Sequence, residues 1–178
     1  MRKSVKTNLL VERDSDILSA SFSVPTDDRL NLWIDKALSL LEEATADSVV
    51  IEVSLRFCSV ARMQALNKAF RGKDSPTNVL SFPSDMPALS HGEGEALRPV
   101  GDIVLCPEVV EAEAVNQSKS AIDHHCHLVI HGLLHLYGYD HETSMEAEAM
   151  ESKEIQILSG LGIANPYAIT SSEVNTTN

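Results

Sequence analysis

The chain has 178 residues, enough for one domain that buries a core without disulfides or structural metal. Hydrophobic residues make up 43 %, and no run of about eighteen apolar residues occurs, which excludes a membrane-spanning helix. Fourteen Lys and Arg against 26 Asp and Glu give a formal charge of −12, which argues against an indiscriminate nucleic-acid binder. The charge is polarised: Val53 to Lys73 holds Arg56, Arg62, Lys68, Arg71 and Lys73 with no acid, whereas Asp140 to Glu154 holds six acids and one lysine. A local basic face therefore sits within an acidic total. The opening MRKSVKTNLL lacks the apolar core of a secretory signal, so the protein is expected in the cytoplasm. Cys58, Cys106 and Cys126 are odd in number and widely spaced, and read as buried hydrophobes.

Along the chain, a strand is expected at 5–12. Leu30, Trp33, Ile34, Ala37, Leu38 and Leu41 recur at helical spacing after the start signal at 25–28. The segment VVIEVSLRF (49–57) alternates as a strand, with Ile51, Val53, Leu55 and Phe57 on one side. Ser59 then caps a helix carrying Val60, Met63, Leu66, Asn67 and Phe70, which Gly72 stops. Strands follow at 77–82 and 101–107, separated by a loop at 83–99 that contains His91, for which no partner is visible. Helices are expected at 108–119, from 120 to about 138, and from a Thr143–Glu146 capping box to near Gly160. Four strands among these helices suggest an α+β fold: a small mixed four-stranded sheet packed with five or six helices, with the topology open. Residues 1–168 are expected to form a single hydrolase domain and 169–178 a flexible tail.

The chemistry concentrates in HGLLHLYGYDH (131–141). Residues four apart share a helix face, so His131 and His135 can grip one ion. Gly138 supplies a helix stop, after which His141 returns as a third nitrogen ligand. Three neutral imidazoles leave zinc its full charge and one open position, the mark of a catalytic rather than a closed site. A water in that position is acidified towards pH 7.

His124 and His127 project near the same face, so a 127–131 pair also satisfies the spacing. Gly138 and His141 favour the 131–135 register and leave the earlier two as supporting, cleft-lining or simply polar positions. Cys126 lies on another face. Gly132 occupies the place where zinc peptidases of this spacing carry their catalytic glutamate. Either the zinc water works without that base, or another residue supplies it, or the chemistry is not peptide hydrolysis. Phosphodiester cleavage needs a nucleophile and charge neutralisation, and an arginine can provide the second.

The eleven-residue stretch resembles the H-G-x-L-H-L-x-G-Y-D-H signature of the YbeY family, bacterial metal-dependent endoribonucleases implicated in ribosomal RNA maturation. NKAFRGKDSPTNVLSFP (67–83), GDIVLCP (101–107) and LGIANPY (161–167) resemble further blocks of that family. The resemblance implies an α+β fold with one zinc ion per chain in a cleft, held by His131, His135 and His141, and with Arg71 as the functional arginine. It further implies cytoplasmic single-strand cleavage at the 3′ end of 16S RNA, ribosome quality control, and the small ribosomal subunit or its proteins as partners. Asn78 stands where many relatives have aspartate. Two bland readings stay open: Arg71 as a cation at a helix C-terminus, and Asp140 as a turn residue rather than an orienter of an imidazole. The alternatives are a zinc-dependent peptidase-like hydrolase and a non-catalytic, metal-stabilised ribosome assembly factor.

Overall fold

A computed structural model describes residues 5–42, 49–90 and 94–168. His91 and the tail at 169–178 lie outside the described residues. Among the described residues four strands form one mixed sheet: β1 (Lys6–Arg13), β2 (Val49–Phe57), β3 (Val79–Pro83) and β4 (Ala96–Leu105), in the spatial order β1-β2-β4-β3. β1 and β4 both run parallel to β2, and β3 is antiparallel to β4. Six helices accompany it among the described residues: α1 (Ser15–Leu18), α2 (Asp27–Leu41), α3 (Val60–Arg71), α4 (Pro107–Asn116), α5 (Ala121–Leu136) and α6 (Ser144–Gly160). The expected α+β class and mixed four-stranded sheet are borne out.

The period-two pattern of β2 sorts its side chains as expected, with Ile51, Val53, Leu55 and Phe57 all buried. They join Leu30, Ile34 and Leu38 of α2, Val129, Ile130 and Leu133 of α5, and Met150 and Ile157 of α6 in the main core. Met63 of α3 packs on the other sheet face with Leu80 and Val104, beside Cys58 and Cys106. All three cysteines are buried and free, and burial pushes the Cys58 and Cys126 thiols up to about 12, which leaves them inert.

Three expectations of extent need correction. β4 begins at Ala96, inside the segment read as a loop, because Pro99 lies beside a bulge. Glu52 pairs with Pro99 and Val53 with Gly101, so Val100 is the extra residue, and a proline is tolerated there. α4 ends at Asn116 rather than 119, since Ser118 takes a left-handed conformation with φ 53°. β3 starts at Val79, two residues later than expected, after Asn78 turns its side chain back to accept from the Val79 amide. The short α1 was not anticipated.

Candidate metal centre and its cleft

Ser120 caps α5, its hydroxyl accepting from the Asp123 amide, and Gly138 turns the chain out at φ 84°. Between them the helix lays an apolar face on the sheet and turns His131 and His135 outward, while His141 arrives from the loop beyond. Ring nitrogens of the three residues lie within 4.8 Å of one another. His131 Nε2 and His135 Nε2 are 3.1 Å apart. Two nitrogens bound to one tetrahedral zinc at ~2.05 Å stand roughly 3.3 Å apart, so the spacing fits a shared ion. Burial, followed by His131 and His141, lowers the His135 imidazole below its ordinary value and favours the neutral form that ligates. The donor set, three nitrogens with one exposed ring, suits a borderline divalent metal with an open position.

Gly132 has a structural reason. A Cβ there would stand 2.9 Å from Ile103 Cγ2 and 3.0 Å from Ser81 Oγ, because α5 lies directly on β3 and β4. Ser81 Oγ also donates to the Gly132 carbonyl at 3.1 Å. A glutamate in this position has no room, so the peptidase base is excluded by packing as well as by sequence.

Arg71, the last residue of α3, lines the same cleft as His131, His135 and His141. The cleft has a volume of about 560 Å³, and Thr77 and Ser81 form part of its wall. Gly72, at φ 68°, ends the helix as expected, and the loop after it is pinned by Asn67 Nδ2 donating to the Ser75 carbonyl at 2.7 Å. The basic stretch is mostly neutralised: Arg56 and Arg62 pair with Asp14, and Lys68 pairs with Asp74. Arg71 and Lys73 make no ion pair among the described residues. Phe70 is 66 % exposed beside Arg71 and meets Phe82 edge-on, with ring centroids 4.9 Å apart, instead of packing inward with Met63.

The remaining candidates separate. Asp140 Oδ1 accepts from the His141 amide at 2.8 Å, which is the turn role. His124 is buried with Nε2 2.7 Å from Glu113 Oε2. Both Glu113 oxygens also accept from Asn78 Nδ2, at 3.2 and 3.0 Å. An aspartate at 78 would set two carboxylates face to face, so the amide is matched to Glu113.

Sequence reasoning missed Glu154. It is fully buried on α6, and its Oε1 lies 2.5 Å from His131 Nδ1. Its Oε2 accepts from the Tyr167 hydroxyl and stands 3.5 Å from His127 Nε2. Burial alone raises this carboxyl, but hydrogen bonds from His127, His131 and Tyr167 outweigh it and hold the group at about 2. One signal was available: Glu154 falls in phase with the buried Met150, Ile157 and Leu158.

The fold and this cleft define an α+β protein with an imidazole cluster able to hold a metal ion beside a free arginine. The family model described as Endoribonuclease YbeY matches residues 16–162, and the chain belongs to that family. Similar relatives include Endoribonuclease YbeY of Colwellia psychrerythraea, 43 % identical over 86 % of this chain and 95 % of its own. That of Alteromonas mediterranea is 46 % identical over 83 % and 87 %. In fold, the chain resembles the solution structure of TM1509 from Thermotoga maritima, with a TM-score of 0.52 and 22 % identity. That match covers 93 % of this chain and 99 % of the other.

Proposed function

We propose that this protein is a zinc-dependent endoribonuclease that cuts single-stranded RNA, with the 3′ end of 16S RNA as its target in ribosome maturation and quality control. The observation that carries the reading is the meeting of Arg71 with His131, His135 and His141 in one cleft. The three imidazoles are the proposed zinc ligands. What the bound ion supplies is Lewis acidity towards a phosphoryl oxygen and activation of the nucleophile. Arg71 contributes a planar, permanently charged donor fork for a second phosphoryl oxygen, where negative charge grows. Phe70 offers a largely exposed aromatic ring next to Arg71, suited to an unstacked base and not to a paired one.

The net charge of −12 supports a factor guided by protein contacts on the small ribosomal subunit. No helix among the described residues is long and apolar enough to cross a membrane, which agrees with a cytoplasmic site of action. Residues 1–168 act as one domain in this reading.

Zinc-reconstituted protein should cleave a 5′-labelled single-stranded RNA carrying the 16S 3′ end and leave its duplex form intact. Arg71→Ala should slow single-turnover cleavage by on the order of 10²-fold. Cleavage by Arg71→Ala and His131→Ala at the parent rate, from nuclease-free preparations, overturns the proposal.

A further inference from the structure

We infer that Glu154 is a positioning residue for the metal centre: it fixes His131 as the tautomer protonated at Nδ1, so that Nε2 is the nitrogen presented to the ion. The inference rests on the reading of His131 as a metal ligand. A carboxylate surrounded by donors only accepts, so the 2.5 Å contact places the proton on His131 Nδ1. The lone pair of Nε2 then faces His135 Nε2, 3.1 Å away, within the cluster that His141 completes. The opposite oxygen is engaged by Tyr167 and lies near His127, so the carboxylate cannot rotate without losing a partner.

His127, His131 and Glu154 also meet the distance requirement for a metal group. The 2.5 Å between His131 Nδ1 and Glu154 Oε1 argues for a shared proton instead. A nitrogen and an oxygen bound to one tetrahedral zinc stand roughly 3.3 Å apart. The burial differs as well: Glu154 is wholly enclosed, whereas His141 is exposed and leaves its cluster open to substrate. A carboxylate behind a ligating imidazole fixes its orientation and raises its basicity, and losing it typically lowers metal affinity about 10–100-fold.

The test uses full-length protein labelled with ¹⁵N-histidine. Long-range ¹H–¹⁵N correlation reads the His131 tautomer without metal, and competition with a chromophoric chelator reads zinc affinity. Parent protein should show His131 protonated at Nδ1. Glu154→Leu should lose that preference and bind zinc about 10–100-fold more weakly. Its metal-free melting temperature should fall, since His131 and Tyr167 lose a buried acceptor, so affinity is read well below that temperature. Tyr167→Phe, which leaves the His131 contact in place, should keep the tautomer.

Parent-like tautomer and affinity in Glu154→Leu overturn the inference. Should that variant fail to fold, Glu154→Gln decides. Its oxygen keeps the proton on Nδ1, the lost charge should weaken zinc about 10-fold, and unchanged affinity overturns the proposal. Equal zinc binding by parent and His131→Ala defeats the metal reading itself, whereas loss in His131→Ala alone defeats only the role of Glu154.

Discussion

Gly132 shows how one missing side chain can serve packing and chemistry together. Alanine there gains about 1 kcal/mol of helix propensity but drives its methyl to 2.9 Å from the branched Ile103. Overpacking of this kind costs about 1–3 kcal/mol, so Gly132→Ala should be destabilised on balance in urea unfolding. Gly132→Glu should accumulate unfolded and gain no peptidase activity. His125 carries a different liability. It is fully enclosed, both ring nitrogens lack partners among the described residues, and burial lowers its imidazole to about 4. The folded state therefore binds this proton less readily than the unfolded chain does, and stability is full above the ordinary value near 6.5. It is lost as the pH falls from there towards 4. The contribution between pH 7 and 5 is about 2 kcal/mol. Urea unfolding at both pH values should show that loss, and His125→Leu should remove it.

At the scale of elements, caps decide where the site-bearing helices begin. Thr143 and Glu146 form a reciprocal capping box on α6, the helix that carries Glu154. Thr143→Ala should cost about 1 kcal/mol, a fall of about 2–4 °C in melting temperature for a domain of this size. Calorimetry checks this, and zinc affinity should hold because Glu154 lies three turns further on. These caps were legible because each is a local exchange between a side chain and nearby amides: Ser59 and Thr143 act as read, while Ser120, read as the start of its helix, caps it. The first half of β4 was not legible, since Pro99 signals a loop and only the bulge at Val100 makes it tolerable. The meeting of His131, His135 and His141 was readable from one eleven-residue stretch. Glu154 was only half readable: its phase with Met150, Ile157 and Leu158 turns it inward, but not towards any particular partner. Its partners come from α5 and from Tyr167, a relation that exists only after folding.

For the whole molecule, the sign of the charge misleads until ion pairs are drawn. The basic stretch seen in sequence is mostly tied to carboxylates, which leaves Arg71 and Lys73 unpaired among the described residues and, on the proposed reading, open to phosphate. Two neutralised phosphates on single-stranded RNA imply a log–log salt slope of about −1.4. Fluorescence anisotropy of a short oligonucleotide should return that shallow slope, and Arg71→Ala should reduce it by about 0.7. A steep slope would mean that other cations join the contact and that the acidic surface is no barrier.

The third imidazole differs from the other two in what holds it. His131 and His135 are fixed by a helix clamped to the sheet, while His141 is exposed and follows the turn at Gly138, which the Tyr139 amide ties back to the Leu134 carbonyl. Ligand exchange should therefore be stepwise, with the loop nitrogen leaving first and the helical pair holding the ion until a competitor arrives. On the proposed zinc reading, the lifetime of the loaded protein in a chelator should follow the opening of the turn between Gly138 and His141, so stiffening that turn should slow exchange without altering the helix.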